Sequence, residues 1–184
     1  MNISNRLTQL AIFAAALAFI TVSPLAAQEK KSRLTAELPI FKALNGNRVE
    51  TGVLIPGADA TAIQGSAIST GRPIIAGLWY EIEGKATYGP VEWIYRWTIR
   101  FQENEAKNLV YGIYIDTMGQ KTDYEGFYDE EENRIQLIGK LPGGGTGRFQ
   151  MTLQDDGNVR IESVNFDPEE NPTVRYSAEN TVRN

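Results

Sequence analysis

The stretch VEWIYRWTIRF, Val91 to Phe101, decides the fold. Val91, Trp93, Tyr95, Trp97, Ile99 and Phe101 fall on every second position, and Glu92, Arg96, Thr98 and Arg100 fill most of the places between. Successive strand side chains point to opposite faces, so this is a half-buried strand with one aromatic side. The alternation recurs at Leu109, Tyr111, Ile113 and Ile115, at Phe149, Met151 and Leu153, at Val159 and Ile161, and at Val174, Tyr176, Ala178 and Val182. With IIAGLWYEIEG, TDYEGFYD and RIQLIGK, this makes about eight strands between Pro73 and Arg183. The segments between them, such as DTMGQ and QDDGN, supply the Gly, Asn and Asp that hairpin loops need. Sequential antiparallel strands avoid open edges most simply by closing on themselves. The expected fold is therefore all-β, an antiparallel up-and-down β-barrel, with two packed sheets as the alternative.

Ahead of the barrel the chain changes character twice. Residues 1–27 carry one charge, Arg6, then the uncharged run AIFAAALAFITV, then Pro24 and small residues ending at Ala27. This is the pattern of a cleaved export signal, and its apolar run is short of the ~20 residues that span a bilayer. A secreted protein, periplasmic or extracellular, with no transmembrane segment after cleavage is expected. Residues 28–72 read as an N-terminal arm or linker. SRLTAELPIFKAL suggests a short helix capped by Ser32 and kinked or ended by Pro39, and the glycine-rich part beyond holds one strand-like run, RVETGVLI. The barrel domain is expected over residues 73–184.

The chain has no His and no Cys. Their absence removes Ser-His-Asp and thiol catalysis, zinc held by His or Cys, and haem ligated by either. No cofactor and no metal site is expected; the acidic runs YDEEEN and DPEEN lack the alternating ligands of a calcium loop. A net charge of −5, with basic residues scattered singly, argues against a nucleic-acid partner. LPGGGTGRF, Leu141 to Phe149, lacks the Lys-Ser or Lys-Thr of a phosphate loop and reads as a link between two strands. The remaining acid–base candidates are Asp116, Asp123 and Glu125, around one turn.

The aromatic residues carry the functional reading. An eight-stranded barrel is just wide enough either to fill with its own side chains or to hold one small ligand. In the second case Trp93, Tyr95, Trp97, Tyr111 and Ile113 line the cavity, with the inward face inferred from apolarity. Arg96, Arg100 or Arg148 then stand at the rim to meet an acidic head group.

GLW, Gly77 to Trp79, at the start of the first expected barrel strand, resembles the G-x-W signature of the lipocalin and wider calycin group. With the Trp-rich second strand and GFYDEEENRIQLIG, the stretch from Pro73 to Asn184 resembles small secreted bacterial lipocalin-like proteins, including the DUF1579 group. The resemblance implies a barrel closed at one end by Trp79 beneath an arginine, a part that Arg175 or Arg183 would take. It also implies non-covalent binding of a small apolar or amphipathic molecule. Two other functions stand beside this: a filled barrel acting as an interaction module of the cell envelope, and a cofactor-free isomerase or cyclase using a buried carboxylate and tyrosine. Asp123 or Glu125 would supply that carboxylate.

Overall fold

The structure, a computed structural model, describes residues 33–104 and 107–183. The export signal and the Ser32 cap lie outside the described residues. Ser32–Asn184 is a unit by itself, a closed antiparallel barrel of ten strands. They are β1 (Gly46–Ile55), β2 (Ile63–Ile74), β3 (Trp79–Tyr88), β4 (Val91–Glu103), β5 (Asn108–Asp116), β6 (Lys121–Asp129), β7 (Arg134–Lys140), β8 (Thr146–Leu153), β9 (Val159–Phe166) and β10 (Pro172–Val182). Every strand pairs with its neighbours in sequence, and β1 pairs with β10 to close the ring.

The two strands beyond the expected eight come from the stretch that reads as an arm, so the barrel begins at Gly46 rather than at Pro73. The difference has a physical cause. The inward positions of β2 are Gly65, Ala67, Ser69 and Gly71, small because large rings from β3 lie across them. A Cβ at Gly65 would stand 2.5 Å from the ring of Tyr88, and one at Gly71 would stand 2.6 Å from the Tyr80 hydroxyl. A strand whose inner face beyond Ile63 holds only small residues resembles a loop in composition. In β1 the inward positions are Arg48, Glu50, Gly52 and Leu54, and burying two charged residues there reverses the usual polarity of the alternation.

β4 follows its sequence pattern: Tyr95, Trp97, Ile99 and Phe101 are buried and the residues between them face out. β5 does not. Its inward set is Val110, Gly112, Tyr114 and Asp116, which pair with Phe101, Ile99, Trp97 and Tyr95. Both faces of β5 carry apolar residues, so apolarity alone favours the larger set, Leu109 to Ile115. The register with β4 decides otherwise, because Gly112 makes room for Trp97, whose ring would lie 3.3 Å from a Cβ added there.

One barrel end is plugged by the segment before β1. A 3₁₀ turn, Thr35–Glu37, leads into the short helix α1, Pro39–Ala43. Pro39 therefore starts the helix instead of ending it, at the first position, where its missing N–H costs nothing. Five residues are too few for a helix to stand alone. This one is held by burial: Leu38, Ile40 and Phe41 have no exposed surface, and the Phe41 ring lies 4.7 Å from that of Tyr80. Complete burial of such side chains contributes about 1.5–3 kcal/mol each. Thr35 Oγ1 ties the plug to the wall, accepting from Phe101 N at 2.9 Å and donating to Leu78 O at 2.6 Å.

The opposite end carries the turns 56–62, 89–90, 117–120, 141–145 and 167–171. The glycine run is one of them, the hairpin link between β7 and β8. Gly143 and Gly144 adopt φ of +93° and +94°, which a residue with a Cβ resists. No helix among the described residues is long and apolar enough to cross a membrane. The outward positions of the strands carry charges at mid-height, among them Glu83, Arg96, Asp123, Glu125 and Arg148.

Candidate functional site

A ring of ten strands is wider than one of eight, and here the extra width is only partly filled. Above the plug a cavity of about 320 Å³ runs up to the turn-bearing end, where exposed Pro56 and Met118 form part of its mouth. Six aromatic residues line it: Trp93, Tyr95 and Trp97 from β4, Tyr114 from β5, Phe149 from β8 and Tyr176 from β10. Leu44, Ile82, Met151 and Ile161 complete the lower wall. The rings brace one another, with Trp97 centred 4.3 Å from Phe149 and 5.0 Å from Tyr114. The walls are thus packed side chains held in place rather than loose ones.

The cavity's polar centre is Glu50, 3% exposed. Its Oε1 accepts from the Tyr95 hydroxyl at 2.6 Å and from Asn180 Nδ2 at 3.1 Å, and its Oε2 accepts from the Tyr176 hydroxyl at 3.0 Å. Tyr88 donates in turn to the Tyr176 hydroxyl at 3.2 Å. Behind Asn180 lies Arg48, equally buried, which donates through Nε to Asn180 Oδ1 at 2.7 Å and through a terminal nitrogen to its backbone oxygen at 3.0 Å. Asn180 therefore bridges a buried guanidinium and a buried carboxylate.

Burial governs ionisation in this network. It raises the Tyr95 phenol well above its ordinary value, and the Glu50 carboxylate adds to the effect. Burial and then Glu50 do the same for Tyr176, and burial and then Asp116 for Tyr114. Tyr124, buried at the barrel wall, is pushed up to about 12. These phenols stay neutral, and those of Tyr95, Tyr176 and Tyr114 act as donors. Burial lowers the pKa of Arg48.

Asp116, the second acidic group on the cavity wall, is fixed by its own turn. Its Oδ1 accepts from Met118 N at 2.9 Å and Gln120 N at 3.0 Å, and its Oδ2 from the Tyr114 hydroxyl at 3.0 Å. It is the Cα partner of Tyr95 across β4 and β5, and the Tyr95 hydroxyl reaches Glu50, so Tyr95 neighbours one carboxylate through its backbone and the other through its side chain.

The expected lining residues divide. Trp93, Tyr95 and Trp97 line the cavity, whereas Tyr111 and Ile113 face outward into a shallow groove with Trp79 and Arg100. The expected rim cations also face out. Arg96 pairs with Glu83, Arg100 lies 5.7 Å from the Trp79 ring centre, and Arg148 lies 4.7 Å from that of Phe166. Trp79 thus meets an arginine as the resemblance implies, but on the outer surface, and the arginine is Arg100 instead of Arg175 or Arg183. Both of those are exposed, and closure of the barrel falls to α1 and its flanking leucines. Gly77 marks the sharp entry to β3 at φ +84°. Of the three acid–base candidates only Asp116 reaches the cavity; Asp123 and Glu125 occupy the outer face of β6. The carboxylate inside the barrel is Glu50, on a strand that reads as an arm. A usable signal existed in the facing small residues of β2, which leave space inside for a bulky polar cluster.

No family model matches the chain, and no curated protein does.

Proposed function

We propose that this protein is an exported, lipocalin-like carrier that binds one small apolar or amphipathic molecule, non-covalently, inside the barrel. The observation that carries this reading is the open cavity, whose walls are mostly aromatic and aliphatic with a few fixed polar groups. Ligand sites have this composition, and about 300 Å³ is the lower end of their usual size. A barrel acting only as an interaction module gains nothing from such a space, since filling it would add stability. The leader-like residues 1–27 support export.

The test is titration with the apolar dye Nile red, following its fluorescence, in the wild type and in Ser163→Phe. Ser163 sits on the cavity wall, so a phenyl ring there fills the space from one side. Saturable one-to-one binding, weakened at least tenfold in Ser163→Phe at unchanged circular dichroism, is expected. Equal binding by both proteins, or none by either, overturns the reading.

A further inference from the structure

The charged groups that face the cavity have one sign. Two carboxylates, Glu50 and Asp116, line it beside neutral Gln120, Ser163, Asn165 and Asn180, and among the described residues no lysine or arginine does. The expected cations at the rim are all turned outward, and Arg48, the charged residue nearest Glu50 in the network, is occupied with Asn180 behind it. Resting on the carrier reading above, we infer that the ligand is a cation: a small amphipathic amine whose ammonium group sits at Tyr95, between Glu50 and Asp116, with its apolar part against Trp93, Trp97 and Phe149.

Four physical points lead there. A charged group is costly to bring into an apolar cavity unless an opposite charge awaits it, and here only negative partners wait. The faces of Trp and Tyr rings carry negative potential, so the walls that would accept an alkyl chain also attract an ammonium. The phenols of Tyr95 and Tyr176 already donate to Glu50, and that of Tyr114 to Asp116, so each carboxylate is aimed by fixed partners. The chain as a whole, at −5, draws cations toward the mouth. A fatty-acid-like ligand meets the opposite conditions: its carboxylate would lose water and find no donor cation on the wall.

The experiment compares octylamine, 1-octanol and octanoate by isothermal titration at pH 7, in the wild type, Glu50→Gln and Asp116→Asn. Octylamine is expected to bind at least tenfold tighter than octanol, with octanoate weakest, and each substitution to reduce the preference for octylamine over octanol at least threefold. Asp116→Asn keeps Oδ1 as the acceptor of the turn amides, so it decides the matter if Glu50→Gln does not fold. Octanol binding as tightly as octylamine, octanoate binding tightest, or an amine preference untouched in every folded variant overturns the inference while leaving the carrier reading intact. Failure of all three compounds to bind the wild type overturns both.

Discussion

Glu50→Gln measures how much the buried network holds. The substitution keeps the side chain's shape and converts one acceptor oxygen into an NH₂ donor. In the less damaging orientation the amide oxygen replaces Oε1 and keeps the bonds from Tyr95 and Asn180, while the NH₂ faces the Tyr176 hydroxyl that donated to Oε2. That hydroxyl already accepts from Tyr88, so it cannot turn without disturbing a second pair. Hydrogen bonds to a charged group contribute about 1.5–3 kcal/mol, and the two that survive become weaker neutral ones. Together these amount to about 3 kcal/mol, a fall of about 6–12 °C in Tm for a domain of this size. Thermal unfolding followed by circular dichroism reads it directly, with Tyr176→Phe and the double substitution completing a cycle. The single losses should not add, because both act on one bond. A Glu50→Gln protein melting within about 1 °C of the wild type would show that the buried network holds little.

Three further outcomes are expected. Gly84→Ala places a Cβ 2.4 Å from the Tyr95 ring and 2.5 Å from its hydroxyl, so the ring must leave Glu50; a loss of about 2–4 kcal/mol in urea unfolding is expected, and a change under about 0.5 kcal/mol would contradict the packing. Seven of the eight tyrosines have phenols raised by burial, so the unfolded chain ionises first as pH rises. Their contribution is intact below the unfolded value of about 10 and falls away above it, by up to ~1.4 kcal/mol per pH unit for each. Absorbance at 295 nm should therefore rise together with unfolding above that pH, and free titration of all eight in a folded protein would refute it. Asp123→Asn with Glu125→Gln, and separately Arg148→Ala, should leave Nile red binding within twofold of wild type, since all three side chains face away from the cavity; a tenfold loss would place them wrongly.

The barrel was legible where a strand has one apolar face, as in β4, because alternation there has a single interpretation. It was not legible in β1 and β2, where the barrel places its polar cluster and the glycines that clear space for neighbouring rings. The same feature hid the site: Glu50 looks like a solvated residue of an arm until the Tyr95 and Tyr176 hydroxyls are seen to converge on it across 45 and 126 positions of sequence. In β5 two apolar faces competed, and the space beside Trp97 at Gly112 settled which one turned inward. Residue type found the aromatic wall, whereas register, which sequence pattern does not carry, sorted Tyr114 and Asp116 inside from Tyr111 and Ile113 outside.

On the carrier reading, the cavity is an occupied site in the living cell. Native mass spectrometry of the protein purified from its own host, followed by denaturing extraction of whatever is released, tests it most directly. One stoichiometric small molecule per chain, bearing an amine and an apolar body, is expected, and none from Ser163→Phe prepared in the same way. Recovery of the bare polypeptide mass alone, or of an adduct equally abundant in Ser163→Phe, would contradict it.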